Sequence, residues 1–200
     1  MTTLVYIHGA NVDSSSFNYI RRFISPDFGH IKEHLVDYNS QDGFANNIQM
    51  ICDEMRSIED DIYIIAHSLG GIYATHIAGM FPDKVIGAIT MSTPYNGSKY
   101  AYHMRKLAPS KQLFRDIGVD DKPIVDSNKI TLPEDWTNLV SIGGHSNWFP
   151  EANDGMVSYS SMMHRKDEMD IVEFNVSHVK IVVDPDVCVY ITNKLKKVLA

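Results

Sequence analysis

Several things are scarce in this sequence, and each scarcity removes a class of protein. Only two cysteines occur, Cys52 and Cys188, far apart and each in a predicted helix. A disulfide framework is therefore not expected, and free thiols are the simpler reading. No apolar run approaches the roughly 20 residues of a membrane span, so no stable membrane insertion is expected. Positive charge is in deficit: 18 Lys and Arg stand against 25 Asp and Glu, a net charge of -7. That balance argues against nucleic acid or anionic membranes as general partners. His30, His34, His67, His76, His103 and His145 lack metal-ligand spacing with Cys or carboxylates, so neither metal nor other cofactor is expected. The chain enters a strand at Leu4, which leaves no room ahead of it for a signal peptide, and a cytoplasmic location is the expectation.

What is present suffices for a folded domain. Two hundred residues, 44% of them apolar, predict one domain over 1–200 with a small insertion. Ile62 to Ala66 is a short apolar run rich in β-branched residues, as in a parallel strand covered on both faces. His67-Ser68 follow at once, and Leu69-Gly70-Gly71 open a helix predicted to run to Met80. Ala66 and Gly70 flank Ser68 at two residues on either side, where larger side chains would collide across a sharp bend. Taken alone, the pattern is also that of an ordinary strand-to-helix turn with a serine cap. Its context gives it weight.

Ala66-His67-Ser68-Leu69-Gly70-Gly71 resembles the nucleophile elbow of the α/β-hydrolases, in particular small lipases and esterases, with Ala66 where Gly is usual. The likeness extends over nearly the whole chain. Leu4 to His8 reads as the first strand and ends in His8-Gly9-Ala10-Asn11. In lipases the residue after this Gly gives an amide to an oxyanion hole, which by resemblance is Ala10, paired with Leu69 after the nucleophile. His8 is expected to orient this loop, and Asn11 either lines the pocket or braces the turn. Phe17 to Ile24 reads as a helix, Ile31 to Tyr38 as the second strand, and Gly43 to about Ser57 as a helix with Phe44, Ile48, Ile51 and Met55 facing the core.

Lys84 to Met91 reads as the next strand. Thr93-Pro94-Tyr95-Asn96-Gly97-Ser98 after it resembles the Thr-Pro-His-x-Gly-Ser segment of lipases, with Tyr95 in place of His. Tyr95 could contact substrate or simply pack. Residues 99–135 break the strand–helix alternation and read as a helical lid or cap. Met104, Leu107, Leu113, Phe114 and Ile117 either face the pocket or pack that insertion onto the body. Its Lys99, Arg105, Lys106, Lys111 and Arg115 read first as a solvated face, with contact to an anionic substrate or membrane as the lesser reading.

Asn138 to Ile142 reads as a strand, and the loop beyond it contains Asn153-Asp154-Gly155-Met156-Val157. This resembles the lipase segment whose Asp is the triad acid, implying that role for Asp154, with Gly155 letting the loop turn tightly. Asp170 to Val176 reads as the last strand, and His178 falls on the loop before a final helix capped by Asp184-Pro185. His164, in a predicted helix, is the poorer candidate for the base. The order Ser68, Asp154, His178 is the family order.

The implied fold is a compact α/β-hydrolase: a mostly parallel sheet of about six strands, helices on both faces, and the first strands of the full fold missing. The implied activity is hydrolysis of carboxylic esters, of a small-molecule or lipid substrate, through an acyl-enzyme on Ser68. Thioesters, amides and acyl transfer use the same machinery. A non-catalytic binding protein on the same fold is the reading from another class, and the presence of all three triad residue types counts against it.

Overall fold

Strand-forming runs alternate with helical stretches along the chain, and the computed structural model, which describes residues 1–98, 101, 112–147 and 151–199, assembles them into one six-stranded parallel sheet. The strands are β1 (Thr2–Ile7), β2 (Lys32–Val36), β3 (Asp61–His67), β4 (Val85–Met91), β5 (Asp135–Ser141) and β6 (Asp170–Phe174), in the order β2-β1-β3-β4-β5-β6. The chain steps from β1 outward to β2, then crosses to β3 on the other side of β1. Such a reversal leaves a crevice at the carboxyl ends of β1 and β3, where open α/β sheets hold ligands.

Period-two alternation divides the core. Val5, Ile7, Ile62, Ile64 and Ala66 face one side, with α2 (Phe44–Ser57) and α3 (Leu69–Met80). Leu4, Tyr6, Tyr63 and Ile65 face the other, with α1 (Asn18–Phe28) and α7 (Pro185–Val198). Both faces of the central strands are thus covered, which is why they read as continuous apolar runs. Further short helices are α4 (Leu113–Asp116), α5 (Lys122–Ser127) and α6 (Tyr159–Met162), with single 3-10 turns at Ser14–Phe17 and Ile181–Val183. No helix among those residues is long and apolar enough to cross a membrane. Both thiols are free and buried, Cys52 on α2 and Cys188 on α7.

Several boundaries differ from the sequence expectation. The first helix continues past Ile24 to Phe28 despite Pro26. Pro26 cannot donate to the carbonyl of Arg22 one turn back, and the Ser25 hydroxyl donates to that carbonyl instead, at 3.1 Å. β2 is shorter than expected, β5 starts three residues earlier at Asp135, and β6 stops at Phe174. His164 lies in a turn after α6, not in a helix. Of the proposed insertion, Lys99, Met104, Arg105, Lys106, Leu107 and Lys111 lie outside the described residues.

Candidate active site

The bend at Ser68 is built from three neighbouring demands. β3 delivers the serine to the carboxyl rim of the sheet, α3 starts at the next residue, and Ser68 takes φ 54° and ψ -122°. A left-handed backbone at a residue with a Cβ costs on the order of 1–3 kcal/mol and persists only where packing enforces it. Here the enforcement comes from close approach. A Cβ on Gly70 would lie 2.1 Å from the Ile7 carbonyl oxygen and 2.6 Å from that of His8. The small residue therefore makes room for the end of β1, the adjacent strand.

Two loops bring polar groups to Ser68. Ser68 Oγ lies 3.0 Å from His178 Nε2, and His178 Nδ1 lies 2.7 Å from Asp154 Oδ2. A carboxylate only accepts, so Nδ1 carries the proton, Nε2 is the acceptor, and the Ser68 hydroxyl donates to it. His178 is 4% exposed and Asp154 1%. The two loops are also tied through the backbone, with the His178 amide donating to the Asp154 carbonyl at 2.9 Å. Gly155, at φ 98°, turns the chain beyond Asp154, so the amides of Met156 and Val157 donate to Asp154 Oδ1 at 3.0 and 2.7 Å. Burial pushes the Asp154 carboxyl up, but hydrogen bonds from His178, Ser141 and Val157 outweigh it and hold the group below its ordinary range.

The amides of Ala10 and Leu69 lie at the carboxyl ends of β1 and β3. Leu69 is the first residue of α3, where an amide has no partner inside the helix. The loop before Ala10 is clamped by His8, whose Nδ1 donates to the Gly9 carbonyl at 2.7 Å and whose Nε2 accepts from the Tyr38 amide at 3.2 Å. The Tyr38 ring stacks on His8 with centroids 4.2 Å apart, and its hydroxyl donates to the His8 carbonyl at 2.8 Å. His8 thus orients the loop. Asn11, at φ 59°, both lines the cavity and braces the turn: its amide donates to Ser40 Oγ at 3.1 Å, and its Oδ1 accepts from Gln41 Nε2 at 3.0 Å.

A cavity of about 490 Å³ opens beside Ser68. Leu113, Phe114, Ile117, Met156, Val179 and Val182 give it an apolar wall, and its lining holds no Asp, Glu, Lys or Arg among the described residues. Tyr95 is not part of that wall. It is fully buried, accepts from Trp136 Nε1 at 2.9 Å and shares a hydrogen bond with Thr90 Oγ1 at 2.8 Å. No group of three or more His, Cys, Asp or Glu side chains is placed to hold a metal ion among the described residues.

Sequence reasoning missed three residues around this site. His67 lines the cavity, and its Nε2 donates to the His178 carbonyl at 2.9 Å. Ser141 donates to Asp154 Oδ2 at 2.6 Å, and Ser92 Oγ stands 2.6 Å from Ser141 Oγ. No spacing in the sequence marks these contacts; only the strand order brings the ends of β4 and β5 beside the acid.

A parallel sheet with a strained serine at the strand-to-helix bend of β3 defines an α/β-hydrolase class of protein. The chain belongs to the alpha/beta hydrolase family, whose sequence profile matches residues 4–169. No curated protein sequence matches the chain. Among solved structures it is similar to the monoacylglycerol lipase of Paleococcus ferrophilus, at 14% identity and a TM-score of 0.68 over 98% of this chain and 93% of that one. A pyrethroid hydrolase from Sphingobium faniae aligns at 12% identity and a TM-score of 0.62, covering 96% of each chain. The metagenomic carboxyl esterase MGS0156 aligns at 15% identity and a TM-score of 0.69, covering 90% of this chain and 65% of that one. At such identities the likeness is one of fold.

Proposed function

We propose that the protein is a serine hydrolase acting on carboxylic esters, with Ser68 as nucleophile, His178 as general base and acid, and Asp154 as the carboxylate that orients the imidazole. The observation that carries the reading is the hydrogen-bonded line from Asp154 Oδ2 through His178 to Ser68 Oγ, at 2.7 and 3.0 Å. Structural neighbours that are themselves named lipase, esterase and hydrolase lend it support.

In this reading His178 Nε2 takes the hydroxyl proton as Ser68 Oγ attacks the ester carbonyl carbon. The amides of Ala10 and Leu69 stabilise the oxyanion, beside the positive end of the α3 dipole. The imidazolium, steadied by Asp154, gives its proton to the departing alcohol as the carbon–oxygen bond breaks. Water then attacks the acyl-enzyme with His178 as base, which releases the acid and restores Ser68. The uncharged wall of the cavity favours a neutral, apolar acyl group. The chain acts as one hydrolase domain, and the described stretch ahead of β5, residues 112–134, acts as a cap that contributes Leu113, Phe114 and Ile117 to that wall.

The test joins a fluorophosphonate probe to mapping of the labelled residue, with p-nitrophenyl esters of increasing chain length assayed alongside. Labelling at Ser68, and loss of both labelling and turnover in Ser68→Ala, are expected. Labelling elsewhere, or full activity in Ser68→Ala, overturns the assignment. A flat chain-length profile removes the apolar acyl reading alone.

A further inference from the structure

The hydrogen-bonded line does not end at the acid. Asp154 Oδ2, the oxygen that faces His178, also accepts from Ser141 Oγ at 2.6 Å, and Ser141 Oγ lies 2.6 Å from Ser92 Oγ. A hydroxyl has one proton, and a carboxylate offers none. Ser141 therefore donates to Asp154, and the Ser92 contact must run from the Ser92 hydroxyl to Ser141. Met162 Sδ, 3.8 Å from Ser141 Oγ, is a neutral and weaker acceptor. The chain is sealed from water: Ser92 and Ser141 are fully buried.

Two strands contribute to this arrangement. Ser141 is the last residue of β5, and Ser92 follows the last residue of β4. Ser92 holds a left-handed backbone, φ 52°, fixed by its amide donating to the Leu139 carbonyl at 2.9 Å. Asp154 Oδ1 is separately satisfied by the Met156 and Val157 amides. The serines thus act on the one oxygen that meets the imidazole. The other ionisable side chain packed on this pair among the described residues is His67, whose ring centroid stands 4.9 Å from that of His178.

We propose that Ser141, with Ser92 behind it, is a positioning residue for the hydrolytic reaction: the relay from Ser92 to Ser141 to Asp154 fixes the lone pair that His178 uses and disperses the carboxylate's charge. It thereby sets how firmly the imidazole holds its proton. The inference rests on the functional reading above, since the relay acts through Asp154 and His178. Donation from Ser92 polarises Ser141 and strengthens its own donation, as chains of hydrogen bonds do.

The test compares wild type, Ser141→Ala and Ser92→Gly. In Ser141→Ala, kcat/KM for p-nitrophenyl butyrate is expected to fall about tenfold, and the acid limb of its pH profile to move up by about half a unit, because a carboxylate short of one donor pulls harder on the imidazolium proton. Ser92→Gly suits the left-handed backbone and guards against an alanine variant that fails to fold; a smaller shift in the same direction is expected. A merely structural role would lower stability without moving the acid limb, and an unmoved limb in a folded variant overturns the relay. The low-field proton NMR signal of His178 Nδ1–H reads the same contact without turnover, and its failure to move in either folded variant also overturns the relay. A wild type that fluorophosphonate does not label at Ser68 overturns the functional reading instead, and the resonance still judges the relay.

Discussion

The imidazole of His67 donates to the backbone carbonyl of His178 at 2.9 Å, so the residue just before the candidate nucleophile holds the residue that would deprotonate it. The carbonyl only accepts, which places the His67 proton on Nε2 and leaves Nδ1, buried, without a partner. Burial, followed by the nearby His178, brings the His67 pKa down from 6.5 to about 3. The ring is therefore neutral at pH 7.

That depression gives a signed prediction. Between pH 6.5 and about 3 the unfolded chain takes up a proton at His67 that the native protein refuses. The stabilisation is complete above the unfolded value and is lost as pH falls toward the folded one, at up to about 1.4 kcal/mol per unit from this group. His8 and His76, also depressed by burial, act with the same sign. Urea midpoints at pH 7 and pH 4.5 should therefore differ less in His67→Phe than in wild type. At pH 7 the variant should be less stable by about 1–3 kcal/mol, the cost of leaving the His178 carbonyl without its donor.

Asp154→Asn probes the orientation of His178. An amide nitrogen facing Nδ1 favours the wrong tautomer, and kcat is expected to fall by about 10³–10⁴-fold with KM little changed. Steady-state kinetics on a p-nitrophenyl ester measures this. A loss smaller than tenfold would assign the acid's role elsewhere.

Ile117→Trp adds bulk to the wall of the 490 Å³ cavity. Esters of long acyl chains should lose about tenfold or more in kcat/KM, while the acetate ester is nearly unaffected. Equal losses across the chain-length series would place the acyl group somewhere other than this cavity.

Tyr95→Phe separates packing from substrate contact. The Trp136 indole N–H loses its acceptor, and Thr90 loses a partner. Stability should drop by about 1–3 kcal/mol in denaturant titration, with KM unchanged. A raised KM in a fully stable variant would return Tyr95 to the substrate.

Legibility in the sequence followed the physics of each element. β3 and α3 were readable nearly to the residue, because a strand covered on both faces and a helix buried on almost every side leave unbroken apolar runs. The end of α1 was not readable: Pro26 is a stop signal in sequence, and only the Ser25 hydroxyl at the Arg22 carbonyl shows why the helix continues. Within the candidate site, Ser68 and Asp154 are read from motifs and His178 from its place on the loop before the last helix, and their side chains lie 2.7 and 3.0 Å apart along the line Asp154–His178–Ser68. His67, Ser92 and Ser141 are not legible, because their contacts span 111 and 49 residues and depend on strand order alone.

Asn11, Ser68 and Ser92 follow β1, β3 and β4, three neighbouring strands, and each holds a left-handed backbone. Ordinary side chains have been wedged into twists that glycine would accept without protest. A search for heat-tolerant variants should therefore keep landing on glycine at these rims, and each such gain in robustness would blunt the tool it was meant to preserve.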